Sequence, residues 1–155
     1  MTTAQVKEIF TSIQGEGHLV GYTQLFIRFC KCDFNCTTCD IDYKPDGTTD
    51  TYTANSLAER LKSYDNHNIH SICLTGGEPL MEAAFLKEFL RNITLPVYLE
   101  TNAAMPEALE EIINMIKYVS ASIKLPSVCG CEDCFDKHAE FLRICKRARK
   151  NMYMK

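Results

Sequence analysis

The chain has 155 residues, of which 46% are hydrophobic and 24% charged, a composition typical of one soluble globular domain. Its formal net charge of -3 argues against a general nucleic-acid binder, since phosphate contacts need clustered Lys and Arg and the one basic run is KRARK, 146–150. No stretch has the character of a membrane span or a signal peptide, so we expect a cytoplasmic protein that binds neither membrane nor nucleic acid.

Strands and helices alternate along the predicted chain. Apolar runs predict four strands, at 24–29, 69–74, 95–99 and 118–123. Apolar residues at helical spacing predict helices at 54–64, 81–91, 106–116 and about 138–149. The tail NMYMK, 151–155, resembles the start of a fifth strand. This alternation predicts a single α/β domain over 1–155, with a parallel sheet that curls into part of a barrel.

Chemically unusual residues follow each of the predicted strands. A cysteine-rich loop follows the first strand, TGGEP the second and ETNA the third, and SIKLP stands at the end of the fourth. Because active sites of parallel α/β folds gather at the C-terminal ends of the strands, these four segments predict one common site.

The loop FCKCDFNCTTCD, 29–40, contains four cysteines. Cys32, Cys36 and Cys39 have the spacing C-x3-C-x2-C, and three thiolates on a four-iron cluster would leave one iron open to another ligand. Zinc and redox thiols are the alternatives, but no second cysteine pair follows at the usual zinc distance. Cys30 ends an alternating strand and is predicted to be a core residue, and so are Cys73 and Cys145 in their apolar surroundings.

A second cysteine group lies in a cysteine-rich insertion at about 127–138. Cys129, Cys131, Cys134 and His138 fall within ten residues and could bind zinc or an auxiliary cluster. The alternative is a flexible loop with reduced thiols.

The segment TGGEP, 75–79, has two adjacent glycines directly after a predicted strand. Such glycines let the backbone approach a ligand without side-chain obstruction. The alternative is a simple strand-to-helix turn, since Gly and Pro break regular structure in any case.

The C-x3-C-x2-C spacing is the signature of the radical S-adenosylmethionine (SAM) superfamily, and the chain resembles that superfamily. The resemblance implies a partial (open) parallel β/α barrel of the radical SAM type, here shortened at the C-terminus. It implies a [4Fe-4S] cluster on Cys32, Cys36 and Cys39, with SAM on the open iron. The residues implied to bind that cofactor are Gly76, Gly77, Glu78, Pro79, Asn102, Ser122 and Lys124.

A narrower resemblance rests on EIFTSIQGEG, 8–17, together with GYTQLFIRF, TGGEPL and ETN, over about 6–126. These motifs resemble the 7-carboxy-7-deazaguanine synthase family, lyases of 7-deazapurine (queuosine-type) biosynthesis. The resemblance implies conversion of 6-carboxy-5,6,7,8-tetrahydropterin to 7-carboxy-7-deazaguanine with loss of ammonia, through a 5′-deoxyadenosyl radical. It also implies Mg2+ on the substrate carboxylate, an electron donor such as flavodoxin or ferredoxin, and a homodimer.

The substrate's chemistry indicates which side chains to expect around it. A pterin has a flat donor–acceptor edge and a carboxylate, so Gln14 and Glu16 are candidate acceptors and Arg28 a candidate carboxylate clamp. Thr75 is a further candidate substrate residue. The alternatives are a surface turn at 14–17 and a structural ion pair for Arg28.

Two positions depart from the family pattern. Ile41 stands where the family usually has a threonine that helps to hold magnesium, so Asp42 becomes the candidate ligand for that hard cation. Ala103 stands where a glycine often follows the TN pair.

Two other functions remain open from the sequence. A glycyl-radical-enzyme activating protein would share the cysteine spacing but act on a protein partner, and it would lack SIQGEG. A non-enzymatic zinc-binding interaction module would hold stoichiometric zinc and no iron.

Overall fold

A single seven-stranded sheet organises the protein. The computed structural model describes residues 2–64, 66–130 and 132–155. The sheet has the order β3-β1-β2-β4-β5-β6-β7, in which β2, β4, β5, β6 and β7 run parallel and β1 is antiparallel to both of its neighbours. The strands are β1 Thr3–Ile13, β2 Thr23–Phe29, β3 Asp50–Thr53, β4 Ser71–Gly76, β5 Val97–Thr101, β6 Tyr118–Ala121 and β7 Asn151–Met154.

Helices cover one face of this sheet and bury the main apolar core. The α-helices are α1 Ala54–Leu61, α2 Ala83–Phe89, α3 Pro106–Ile112, α4 Pro126–Cys129 and α5 Phe135–Arg147. A capping box starts α1. The Thr53 hydroxyl oxygen accepts a hydrogen bond from the Ser56 amide, and the Ser56 hydroxyl oxygen accepts one from the Thr53 amide. Side chains from four helices and from the strands join one buried cluster, which includes Leu57, Phe85, Phe89, Leu109 and Phe141. None of the helices in the described ranges is both long and apolar enough to cross a bilayer.

The predicted parallel core is confirmed, with shifted ends. The second strand begins at Ser71 rather than at residue 69 and continues through Gly76, and the tail forms β7 as expected. The last helix begins at Phe135, three residues earlier than predicted. Strands β1 and β3 are additions that make the sheet mixed, since the prediction was purely parallel. Most β1 residues are exposed or half-buried, so its apolar alternation is weak in the sequence.

The other face of the sheet is more polar and has a small apolar cluster of its own. Leu19, Phe26, Cys73 and Tyr98 form that cluster, with Phe10 and Tyr118 packed against it. The loop between β1 and β2, residues 14–22, crosses this face and reaches β7. There the His18 Nε2 atom lies 2.7 Å from the Met152 carbonyl oxygen.

Candidate active site

A cavity of about 310 Å³ lies at the C-terminal ends of the parallel strands. All four segments that the sequence analysis placed at strand ends contribute to its wall, so the predicted meeting of these segments is observed. The residues that line it are Glu16, Cys32, Phe34, Cys36, Thr38, Cys39, Asp40, Ile41, Tyr43, Thr75, Gly76, Gly77, Glu100, Thr101, Asn102, Ser122, Lys124 and Lys155.

The three cysteines of the C-x3-C-x2-C motif all face this cavity. Cys32 and Cys36 are both half-buried and Cys39 is exposed, and burial raises the pKa of Cys32 to about 11. The Cys39 amide donates to the Cys36 carbonyl at 3.2 Å, which turns the loop between these two cysteines. Within the described ranges no three His, Cys, Asp or Glu side chains converge tightly enough to hold a single ion. Three thiols spread around a cavity are better suited to a metal cluster than to a single ion, and a four-iron cluster with one open iron fits this arrangement.

The remaining cysteines divide into buried thiols and the second group. Cys30, Cys73 and Cys145 are at most 4% exposed, which confirms them as core residues. In the second group the buried His138 ring contacts the Ala103 carbonyl oxygen through Nδ1, at 2.9 Å. Cys131 lies outside the described residues, so the metal site predicted on Cys129, Cys131, Cys134 and His138 stays a prediction.

Glu78 and Pro79 of the TGGEP motif lie behind the cavity wall. Glu78 is fully buried, and its carboxylate accepts from the Leu80 amide at 3.0 Å, the Thr101 hydroxyl at 2.8 Å and the Asn102 amide at 2.7 Å. Burial raises the pKa of Glu78 to about 7, although all three hydrogen bonds favour the charged form. Glu78 therefore joins the ends of β4 and β5, and a direct contact to a cofactor stays a prediction.

Three polar residues predicted to bind the cofactor line the cavity itself. Asn102 donates from Nδ2 to Asp33 in the cysteine loop at 2.7 Å. Ser122 continues β6, with its amide bonded to the Thr101 carbonyl oxygen at 2.8 Å. Lys124 also faces the cavity, and no carboxylate within the described ranges forms an ion pair with it. Its charge is thus available to an anionic group inside the cavity.

Ala103 adopts a backbone conformation that favours glycine. Its φ is 57°, in the left-handed region, and its side chain is completely buried. The requirement for a positive φ explains why a glycine would suit this position, and alanine occupies it here at some conformational cost.

Glu100 is a cavity residue to which the sequence analysis gave no role. Its Oε2 accepts from the Thr75 hydroxyl at 2.7 Å and its Oε1 from Gln14 Nε2 at 2.9 Å. The same Gln14 nitrogen lies 2.9 Å from Gln24 Oε1, and Gln24 donates onward to the Ser71 hydroxyl at 2.8 Å. The sequence feature that could have identified Glu100 is a carboxylate one residue before the end of a buried strand. Only the fold shows that other side chains hold it in place.

The candidate substrate residues lie in different environments. Gln14 is 3% exposed and lies behind the cavity, where it holds Glu100. Glu16 lines the cavity and is paired with Lys155. Arg28 lies outside the lining, with its Nε 2.5 Å from Glu8 Oε1 and its guanidinium over the Phe10 ring at 5.5 Å. The structural ion pair considered for Arg28 is therefore present, and its contact with a substrate stays a prediction.

The residues after Cys39 do not supply the magnesium site that the resemblance implies. Ile41, in the threonine position, presents an apolar side chain to the cavity. Asp42 lies outside the lining and pairs instead with Lys7 at 3.3 Å, because Lys7 anchors this loop to β1 through Asp46 and the Lys44 carbonyl oxygen as well. Asp40 is the carboxylate of this segment that faces the cavity. One carboxylate beside an isoleucine is a poor donor set for a cation that prefers six oxygen ligands.

Comparisons with known proteins agree with this geometry. The sequence model of the Radical SAM superfamily matches residues 26–153. The chain is 37% identical to the 7-carboxy-7-deazaguanine synthase of Geobacter sulfurreducens, over 94% of this chain and 67% of that protein. It is 40% identical to the synthase of that name from Methanothermobacter thermautotrophicus, over 79% of this chain and 50% of that protein.

The fold has a counterpart among solved structures. A crystal structure of QueE from Escherichia coli superposes with a TM-score of 0.57, over 99% of this chain and 94% of that chain, at 14% sequence identity. That likeness establishes a shared fold. The chain spans half to two thirds of the length of the two curated relatives above.

Proposed function

This chain belongs to the radical SAM superfamily and to the 7-carboxy-7-deazaguanine synthase family, and on that premise we propose that it converts 6-carboxy-5,6,7,8-tetrahydropterin to 7-carboxy-7-deazaguanine with loss of ammonia. The observation that carries the proposal is the single cavity shared by Cys32, Cys36, Cys39 and the polar ends of three strands. No cysteine beyond these three lines it among the described residues, so a cluster held there keeps one iron open.

The chain's own residues would hold the cofactors as follows. Cys32, Cys36 and Cys39 bind the cluster as thiolates, so loading requires Cys32 to lose the proton that burial favours. The SAM methionine and ribose groups would be held by the backbone of Gly76 and Gly77, the Asn102 and Ser122 side chains and the Lys124 ammonium, all of which line the cavity. When bound and reduced, these cofactors supply the 5′-deoxyadenosyl radical that begins the reaction.

The pterin would lie against the carboxylates of the same cavity. Glu100 and Glu16 offer acceptors to the donor edge of the ring, and Thr75 orients Glu100 through its 2.7 Å hydrogen bond. Gln14 acts through Glu100 as a positioning residue. Of the two acceptors proposed in the sequence analysis, Glu16 would contact the pterin directly, and Gln14 would act indirectly by holding Glu100.

Magnesium has no fitting site among these residues. With Asp42 held by Lys7 and Ile41 lining the wall, the positive charges that face the cavity are Lys124 and Lys155. We propose that turnover depends weakly on added Mg2+. A titration of the cluster-loaded, magnesium-free enzyme with MgCl2 tests this, and a rise of about tenfold or more in kcat/KM, the scale of a lost outer-shell partner, would contradict it.

Electron supply, assembly and location complete the proposal. A flavodoxin or ferredoxin would reduce the cluster, and the nine cysteines suit the reducing cytoplasm. The outer strands β3 and β7 each have a neighbour on one side only, and a second copy of the chain would protect such an edge in a homodimer. Light scattering on the purified protein tests the dimer.

The decisive experiment is anaerobic reconstitution with iron and sulfide, followed by reduction in the presence of SAM and the carboxypterin. We expect 5′-deoxyadenosine and 7-carboxy-7-deazaguanine in the same assay, identified by mass spectrometry. Formation of 5′-deoxyadenosine without the deazaguanine would contradict the proposed substrate. Absence of both products from iron-loaded protein would contradict the radical mechanism. Cys39→Ala is the variant expected to remove both products, and Cys145→Ala, a buried thiol away from the cavity, is its control.

A further inference from the structure

The two glycines of the TGGEP motif lie directly under the backbone of the first cluster cysteine. The Gly77 amide donates to the Phe29 carbonyl at 3.1 Å, and the next amide, Glu78, donates to the Lys31 carbonyl at 2.6 Å. Phe29 and Lys31 flank Cys30, and Cys32 follows at once. The turn after β4 and the start of the cysteine loop are therefore joined backbone to backbone.

This approach leaves no room for a side chain at either glycine. A Cβ atom added to Gly77 would overlap the Lys31 carbonyl group and lie 2.9 Å from the Cys32 Cβ atom. A Cβ added to Gly76, whose φ is 120°, would overlap the Phe29 backbone. The space that a side chain would need is thus filled by the cysteine loop itself, although both glycines also line the cavity.

Two side-chain contacts hold the same three-residue segment, Lys31–Asp33. Lys31 Nζ lies 2.8 Å from Glu82 Oε1, in an ion pair that does not have the geometry of a hydrogen bond, and the Glu82 side chain is only 6% exposed. A buried carboxylate is unfavourable unless it is paired, so Glu82 requires this lysine. On the other side, Asn102 binds the Asp33 carboxylate at 2.7 Å.

The other two cluster cysteines are held less firmly. Between them, Thr37 contacts one tertiary partner, the Val128 carbonyl oxygen, through its amide at 2.9 Å and its hydroxyl at 3.2 Å. Cys39 is exposed, and its thiol contacts the nearby Ile41 carbonyl oxygen at 3.7 Å. Both residues beside Cys32 thus have tertiary side-chain contacts, whereas the segment that carries Cys36 and Cys39 is held through Thr37 and, beyond Cys39, by the contacts of Lys7.

We propose that Gly76, Gly77 and Glu82 form a cysteine seat, a set of positioning residues that fix Cys32 for cluster binding before SAM arrives. The inference rests on the proposed function in one respect, that the three cysteines hold a [4Fe-4S] cluster. It gives the glycines a task that precedes any contact with the cofactor. It also gives Glu82, which does not line the cavity, a part in cluster binding.

The first test separates a cluster role of Gly77 from a SAM role. Gly77→Ala and the control Gly47→Ala, whose added Cβ would meet nothing within 4 Å, are reconstituted anaerobically without SAM. We expect Gly77→Ala to retain about tenfold less iron than wild type, the scale of a lost outer-shell partner, and Gly47→Ala to match wild type. If Gly77→Ala loads iron normally and loses only the SAM-induced change in the electron paramagnetic resonance spectrum, the seat is wrong.

The second test remains informative if Gly77→Ala fails to fold. Glu82→Gln keeps the shape of the side chain but removes its charge. Glu59→Gln, which removes the charge that pairs with the exposed Lys62, is the control. We expect iron release to a chelator to be about tenfold faster in Glu82→Gln and unchanged in Glu59→Gln, with equal far-UV circular dichroism for both. The spectrum of the reduced cluster should also shift in Glu82→Gln alone.

The possible outcomes distinguish a failure of the cysteine seat from a failure of the proposed function on which it rests. Equal iron release from Glu82→Gln and wild type would overturn the role of Glu82. Wild-type protein that binds no iron under these conditions would contradict the proposed function, and the cysteine seat with it.

Discussion

The two faces of the sheet differ in what they contribute to the protein. The helix-covered face is packed with completely buried aromatic and aliphatic side chains such as Phe85, Phe89 and Leu74. The opposite face buries polar groups, among them Gln14, Gln24 and Ser71, in a hydrogen-bonded chain that ends at Glu100. The hydrophobic effect does not depend on the orientation of the buried groups, whereas each buried polar group needs a hydrogen-bond partner in a defined position. The helix-covered face therefore contributes most of the stability, and the polar face fixes the positions of side chains in the candidate site.

The largest effect on stability should come from the apolar face. Phe89→Ala removes a completely buried ring and should lower the free energy of unfolding by about 3–5 kcal/mol. Urea denaturation of the iron-free protein measures this. Phe135→Ala, at an aromatic residue that is 49% exposed, is the control and should cost much less. Equal losses in the two variants would mean that the helix-covered face is not the main source of stability.

An effect of about 3 kcal/mol should come from Glu78 between pH 4.5 and pH 7, because its pKa is raised to about 7 and each unit is worth about 1.4 kcal/mol. The folded protein keeps the Glu78 proton to higher pH than the unfolded chain does. The contribution of Glu78 to the free energy of unfolding should therefore be greatest below pH 4.5, fall as the pH rises and level off above pH 7.

Glu78→Gln isolates this contribution. The variant loses the titrating group, so the difference in stability between wild type and Glu78→Gln should change with pH across that window. Thermal melts of iron-free protein at pH 5 and pH 8 are sufficient to show it. A difference that is the same at both values would exclude Glu78 as the group responsible.

A moderate effect, on activity rather than stability, should come from the polar face. Glu100→Gln removes the charge that Thr75 and Gln14 hold in place and should lower kcat/KM by about 10- to 100-fold, as expected for loss of one charged hydrogen bond. The melting temperature should remain close to that of wild type. Glu111→Gln, which breaks an exposed pair with Lys87, should leave kcat/KM unchanged. A similar loss in both variants would remove Glu100 from the substrate pocket.

The smallest effect on stability should come from removing the buried hydroxyl of Tyr98. Among the described residues neither Tyr98 Oη nor Ser120 Oγ has a hydrogen-bond partner, although both are buried. Removing an unsatisfied polar atom should be neutral or slightly stabilising, so Tyr98→Phe should change the free energy of unfolding by less than about 1 kcal/mol. A larger loss would indicate that an ordered water or ligand satisfies this hydroxyl.

The same contrast between the faces explains what could be predicted from the sequence. The parallel strands and the helices that cover them carry strong apolar patterns, and all except the short α4 were predicted to within a few residues. Strand β1 was missed because most of its residues are exposed or half-buried, and β3 because its four residues include none that is fully buried. Propensity and periodicity describe burial, and these two strands bury little.

The site was predicted in its motifs but not in its contacts. Cys32, Cys36, Cys39 and the TGGEP glycines were found by spacing, which is local information. The pairing of Asp42 with Lys7 and the hold of Gln14 on Glu100 join residues 35 or more positions apart. Only the folded chain brings such partners together, so no local pattern predicts them.

The loop at 14–22 also fixes when the site can form during synthesis. Its contacts to β7, from His18 to Met152 and from Glu16 to Lys155, span more than 130 positions. A ribosome adds roughly 5–20 residues each second, so the cysteine loop leaves the exit tunnel several seconds before the strand that the 14–22 loop touches. During that interval the three thiols are exposed to solvent, because the residues that later surround them are not yet in place. Insertion of iron is therefore expected to follow completion of β7, and delivery of the cluster to a nascent chain would be premature.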